Sequence, residues 1–219
     1  MKRAVISDLH IGSSTYRAEA LLKFLQTNSF DELILAGDII DFLIIPTFTD
    51  NLTKIFAEIG KTESVIYIIG NHDVSLSGLS GHTVFNIKFV KEYEFVDGGK
   101  KFRIEHGDKY DTGIVKKDFM MKIISITNDW IHRFFDVDLA HHYYQFREKR
   151  RKIKSIWDIL KFNLDVDVII MGHFHNPEKI VWTNENKKTI TYVNCGDWVS
   201  HQTWVSIDNG EVCLNSFQE

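Results

Sequence analysis

Short apolar runs alternate with amphipathic stretches along the first third of the chain. Residues 3–7 read as a strand, and 16–28 carry leucines and Phe24 at helical spacing. Residues 32–35 form a second apolar run. A helix is expected from Asp50 or Asn51, one of them serving as N-cap, to about Ile59, before a third buried run at 64–69. After Gly81 the period shortens to that of strands at 87–90, 93–96 and 101–105, the last two joined by the turn Asp97-Gly98-Gly99. Residues 114–162 are helical in pattern throughout, and 166–171 return to a buried strand. The tail then alternates in short β runs at 178–182, 189–194, 203–207 and 211–215, with Asn184-Glu185-Asn186 and Asp208-Asn209-Gly210 as turns. Strands alternating with helices predict an α/β core.

Five of these strands run into polar clusters: Asp8/His10, Asp38/Asp41, Asn71/His72, His106 and His173/His175. One Asp or His past a strand is ordinarily a cap or a solvated turn residue. Five in succession are a different observation, because strands of one sheet bring their ends to one rim, where ligands bind in α/β proteins. The period-2 geometry of extended chain turns Asp8 with His10, and His173 with His175, the same way. Carboxylate, amide oxygen and imidazole without thiolate suit Mn, Fe, Zn or Co. Seven such groups exceed one tetrahedral site and suit two ions sharing a carboxylate, for which Asp38 is the candidate. Two ions about 3.5–4 Å apart would hold a hydroxide and the oxygens of a phosphate ester. His72, beside Asn71, is placed to protonate the leaving oxygen, with Asp41 orienting its ring.

Composition narrows the setting. At 219 residues the chain is expected to fold as a single domain, 1–219, with a helical, lid-like insert at about 112–163. No apolar run reaches the roughly 18 residues of a membrane span, and charge appears too early for a signal peptide. With only Cys195 and Cys213, both expected as buried thiols, no disulfide framework is available, and a cytoplasmic location is expected. A net charge of −4 argues against coating nucleic acid by bulk electrostatics.

The blocks Asp8-x-His10, Gly37-Asp38-x-x-Asp41, Gly70-Asn71-His72-Asp73, His106-Gly107-Asp108 and Gly172-His173-x-His175 resemble the signature blocks of the calcineurin-like metallophosphoesterases. The resemblance implies a four-layer αββα sandwich of two mixed β-sheets with a dimetal site at the strand ends. It implies one metal on Asp8, His10, Asp38 and His175, the other on Asp38, Asn71, His106 and His173, and His72 as catalytic residue supported by Asp41. It further implies two divalent ions, manganese foremost, with Fe, Zn or Co as alternatives.

Within that superfamily the chain is most similar to the branch around UDP-2,3-diacylglucosamine pyrophosphatase. The likeness rests on Asp8-Leu9-His10-Ile11-Gly12, on His106-Gly107-Asp108-Lys109-Tyr110-Asp111 before a helical insert, and on Tyr192-Val193-Asn194-Cys195-Gly196-Asp197-Trp198. It departs from that pattern at His72, where the lipid A enzyme carries arginine, and lacks that enzyme's Cys-Thr-Asp-Asp cluster. The implied activity is hydrolysis of a phosphodiester, pyrophosphate or phosphomonoester bond by metal-activated hydroxide, on a UDP-2,3-diacylglucosamine-like substrate. A nuclease or cyclic-nucleotide phosphodiesterase is the alternative enzyme, and a non-catalytic binding module of the same fold the alternative outside enzymes.

The insert carries an apolar stripe from Phe119 to Phe135, read as core packing rather than an acyl-chain groove. Residues 147–154 hold six basic residues in eight: a solvated helix face, or a basic lid toward a diphosphate, nucleic acid or an anionic membrane surface. His132, His141 and His142 are read as surface or lid residues. No obligate protein partner is expected. Asp197-Trp198 is expected to return to the active rim, with Trp198 filling core, and His201 has no assigned role.

Overall fold

The structure is a computed structural model, and it describes residues 1–42, 50–110, 156 and 158–218. The apolar stripe at 119–135, the three insert histidines and the basic run therefore lie outside the described residues.

The strands form where the apolar runs are. Strands β1 (Arg3–Ile6), β2 (Glu32–Ala36) and β3 (Ser64–Ile68) are buried along almost their whole length, as parallel strands covered on both faces must be. With β4 (Thr83–Val84), β5 (Ile87–Val90), β11 (Thr203–Asp208) and β12 (Glu211–Ser216) they build a seven-stranded sheet in the order β12-β11-β1-β2-β3-β5-β4. A second sheet has the order β6-β7-β8-β10-β9, from β6 (Glu92–Asp97), β7 (Lys100–Glu105), β8 (Val168–Met171), β9 (Glu178–Thr183) and β10 (Thr189–Asn194). Its three inner strands run parallel and its two edge strands antiparallel.

Three apolar layers hold these pieces together. Helix α1 (Ala18–Thr27) buries Ala20, Leu21, Phe24 and Leu25, spaced to form one face. It stops at Asn28, whose extended backbone leaves the helix while its amide and side chain both donate to the carbonyl of Phe24. With Leu52, Ile55 and Ile59 of α2 (Asp50–Gly60) this face packs on Ala4, Ile6, Leu33, Leu35, Val65 and Tyr67. The opposite faces of β1–β3, represented by Val5, Ile34 and Ile66, meet Phe102, Ile104, Val168, Ile170 and Val193 of the second sheet. Beyond that sheet, Ile159 and Leu160 of a helical turn at 158–162 cover Ile169, Met171, Ile190 and Tyr192. Full burial of one such side chain stabilises by about 1.5–3 kcal/mol, so these layers are the main source of stability. The result is the expected αββα order, two mixed sheets face to face.

Several expectations change in detail. Asp50 and Asn51, expected as the cap, already lie inside α2. Cys195 is buried as expected, but Cys213 is exposed, because its position on edge strand β12 points outward. Trp198 does fill core, its ring centroid 4.9 Å from that of Phe24. No helix among the described residues is long and apolar enough to cross a membrane.

Candidate metal centre

The exits of β1, β2 and β3 come from the first sheet, those of β7 and β8 from the second, so the polar clusters meet across the gap between the sheets rather than along one rim. Backbone bonds zip them together. Asp8 N donates to Gly37 O and His10 N to Asp38 O, each at 3.0 Å, while Gly172 N donates to His106 O at 3.1 Å. Across the gap, His173 N donates to Asp8 Oδ2 at 3.0 Å.

At these exits the backbone is not extended. Asp8, His10, Asp38, His173 and His175 all take positive φ, between 48° and 65°. Asp and His are among the residues that tolerate this region best, at a cost of order 1–3 kcal/mol each. The period-2 expectation therefore fails. Asp8 and His10 still converge, on His175, but His173 and His175 part company: His173 joins Asp38 and His106 instead. Two glycines make the crowding tolerable. A Cβ on Gly70 would sit 2.3 Å from Asp38 Oδ1, and one on Gly172 would sit 2.2 Å from Asp8 Oδ2, so any side chain there would displace a carboxylate.

Among the described residues three groups of potential ligands result: Asp8/His10/His175, Asp38/His106/His173 and His10/Asp41/His72. Asn71 stands beside the second, its Oδ1 3.1 Å from His106 Nε2. All seven residues expected as ligands are thus at one place, with Asp41 and His72 next to them.

The histidines share an arrangement. His106 Nδ1 donates to the carbonyl of Ala36 at 3.0 Å, which turns Nε2 toward Asp38 Oδ2, 3.2 Å away. His10 has Asp41 Oδ2 3.6 Å from Nδ1, and its buried Nε2 has no hydrogen-bond partner. His175 has Asp197 Oδ2 3.6 Å from Nδ1 and Asp8 Oδ1 3.2 Å from Nε2, and that Asp8 oxygen is buried without a hydrogen bond. In each ring one nitrogen is held from behind, and the other faces an acceptor or nothing. Imidazole nitrogens and carboxylate oxygens that face each other call for a positive charge between them, which a proton supplies in the metal-free chain and a metal ion can supply in its place. The residues present fit a metal site.

Protons register the same field. Burial alone would lower the pKa of His106, but Asp38, Asp8 and Asp108 outweigh it and hold it at about 10. His175 is likewise pushed well above the usual imidazole range by Asp8 and Asp197, against burial. His72 is raised, with Asp38 and Asp41 overcoming its burial. Asp41, although buried, is held below the usual carboxylate range by His10 and His72. It is 3.0 Å from His72 Nδ1, leaving Nε2 of that ring 3.9 Å from Asp38 Oδ2.

Two carboxylates belong to the site without a role read from the sequence: Asp73, and Asp197, which was expected only to return to the rim. Asp73, wholly buried, accepts from the backbone of Ile39, Ile40 and Gly70 and from Tyr67 Oη, so it staples the exit of β2 to that of β3. Burial and nearby Asp38 raise its pKa to about 6. Asp197 sits behind His175 and holds His201, to which no role was assigned. The only signal for either was its place in a motif.

Two mixed sheets with a carboxylate and imidazole cluster across their strand ends are the architecture of a metal-dependent phosphoesterase, and that is what this chain is. The family profile of the calcineurin-like phosphoesterases matches residues 1–177, and the chain belongs to that family. No curated protein matches the sequence. Among solved structures, Vps29 of Chaetomium thermophilum superposes with a TM-score of 0.53 at 11% identity, covering 99% of this chain and 96% of that one. The E. coli phosphoesterase YfcE superposes with a TM-score of 0.49 at 15% identity, covering 100% of both chains.

Proposed function

We propose that the chain hydrolyses a phosphodiester or pyrophosphate bond with two divalent ions, manganese foremost, held between the sheets. The observation that carries this is the gathering of seven side chains with oxygen or imidazole ligand atoms from five strand exits, with an imidazole Nε2 3.2 Å from a carboxylate oxygen at both His106–Asp38 and His175–Asp8. Asp8, His10 and His175 would hold one ion, and Asn71, His106 and His173 the other. Asp38 would serve both, and its Oδ1 also accepts from His72 N at 2.8 Å, which holds the carboxylate in place. When bound, the ions supply positive charge to the phosphate oxygens and a lowered pKa to water.

The chain's own residues do the rest. Asp41 holds His72 at Nδ1, so that Nε2 faces the cluster and can donate a proton to the leaving oxygen. Asp73 keeps the Asp38 and Asn71 loops at fixed separation. Asn163 Nδ2 donates to Tyr110 Oη at 2.8 Å, so the two ends of the insert meet. That supports reading the 112–163 insert as the substrate-selecting part of one domain. The Asp8-Leu9-His10-Ile11-Gly12 and Gly196-Asp197-Trp198 patterns support a UDP-2,3-diacylglucosamine-like substrate, and two cysteines, too few for a disulfide framework, support a cytoplasmic setting.

The test is metal analysis of protein purified without chelator, followed by hydrolysis of an aryl phosphodiester with and without Mn. Co-purifying transition metal and Mn-stimulated turnover are expected. Neither metal nor stimulation would overturn the reading. A panel of UDP-diacylglucosamine, cyclic nucleotides and short DNA then ranks the substrates.

A further inference from the structure

Asp197 lies outside the five motif blocks, in the loop between β10 and β11, yet it is wholly buried. Its two oxygens have separate jobs. Oδ1 accepts from the backbone amides of Val199, Ser200 and His201, closing the loop into a tight turn around the carboxylate. Oδ2 takes the ring of His201 at 2.6 Å and lies 3.6 Å from His175 Nδ1. The next residue ties the loop to the first motif, because Trp198 N donates to Asp8 O at 3.2 Å and the Trp198 ring is anchored against Phe24. A carboxylate so held cannot drift, and it stands on the side of the His175 ring opposite Asp8.

We infer that Asp197 is a positioning residue for metal binding: it fixes the His175 ring in the Nδ1–H tautomer, so that bare Nε2 joins Asp8 and His10. His201 takes part by pinning Oδ2 from the solvent side. This rests on the dimetal reading above.

The informative substitution is Asp197→Asn, with the amide oxygen able to keep the three backbone bonds while its NH₂ replaces Oδ2. An NH₂ cannot accept from Nδ1–H. It donates instead, which favours the opposite tautomer and places the proton on the nitrogen that faces Asp8. Carboxylates in this relation to a ligating histidine contribute on the order of 10- to 100-fold in metal affinity.

Calorimetric titration of Mn into the wild-type chain is expected to show two sites. In Asp197→Asn, checked as folded by circular dichroism, one site should weaken by on the order of 10- to 100-fold while the other is unchanged. Both sites at wild-type affinity would overturn the inference. So would equal weakening of both, which would mean a general structural loss. Should the variant not fold, the nitrogen spectrum of the Zn-loaded wild type decides. A proton on Nδ1 of His175 supports the inference, and a proton on Nε2 overturns it. A wild-type chain that binds no Mn would overturn the dimetal reading, and this inference with it, a result distinct from the others.

Discussion

Two buried polar clusters lie at opposite ends of the same strands, and they behave differently. At the amino end of β1 and β2, Arg3 bonds Glu32 at 2.9 Å and Asp97 at 2.8 Å, with its guanidinium 4.3 Å over the ring of Phe95. Glu32 also accepts from Ser64 and Tyr93, and Asp97 from the amide of Gly210. Donors meet acceptors, and the cluster is closed on itself. At the carboxyl end, Asp8, Asp38 and Asp41 are ringed by imidazoles, and Asp8 Oδ1 and His10 Nε2 are buried without a hydrogen bond. Burying polar groups costs free energy unless they are paired, so a cluster that pairs itself belongs to the fold, and one that does not belongs to a ligand. Depth alone does not distinguish the two. Completeness does.

Breaking the open cluster should abolish function and leave the fold. Asp38→Asn is expected to lose metal and activity together, exceeding the roughly 10²–10⁴-fold loss typical of one proton donor. Metal content and turnover measured on one preparation check this; activity retained at reduced metal content would exclude a shared carboxylate. His72→Ala should keep its metal. Its turnover should fall by about 10²–10⁴-fold on substrates with poor leaving groups and much less on an aryl ester, whose leaving group needs no proton. A full rate on the poor leaving group would refute the acid role.

The closed cluster should respond the other way. Arg3→Met leaves Glu32 buried without its cation and is expected to lower stability by about 3–5 kcal/mol in urea unfolding, with metal content and Mn-dependent turnover of the folded protein intact. Changed metal affinity in that variant would mean that the two ends are coupled. Per site, ligand linkage is the smallest effect expected. Mn at about a hundred times its dissociation constant should stabilise the wild type by about 2.7 kcal/mol per site, readable as a rise in melting temperature that a chelator reverses. Arg3→Met should show the same rise, and Asp38→Asn little or none.

Much of this contrast was legible beforehand at one end only. The runs at 3–7, 32–35, 64–69, 101–105 and 166–171 marked the strands, and the Asp, Asn and His residues just past them marked the site. The Arg3–Glu32–Asp97 cluster left no such mark, because its members are far apart in sequence and each is an ordinary charged residue at a strand end. Asp73 and Asp197 lay in view without a role for a related reason. What each does depends on which backbone amides and rings surround it, and those come from other strands. Even for His173 and His175 the spacing misled. Extended chain turns alternate side chains the same way, but with both residues at positive φ the two rings diverge to separate groups.

By itself, then, the sequence determined every strand but the two-residue β4, which residue types stand at the strand exits, and so the family and its chemistry. Local periodicity and residue type carry that information within a few residues. The tertiary structure alone decided which exits come from which sheet, the positive-φ backbone that sends His173 and His175 to the separate groups the resemblance implied, and the place of Asp197 behind one of them. Those outcomes depend on how separate strands pack against each other, which is a property of the whole core and of no single stretch.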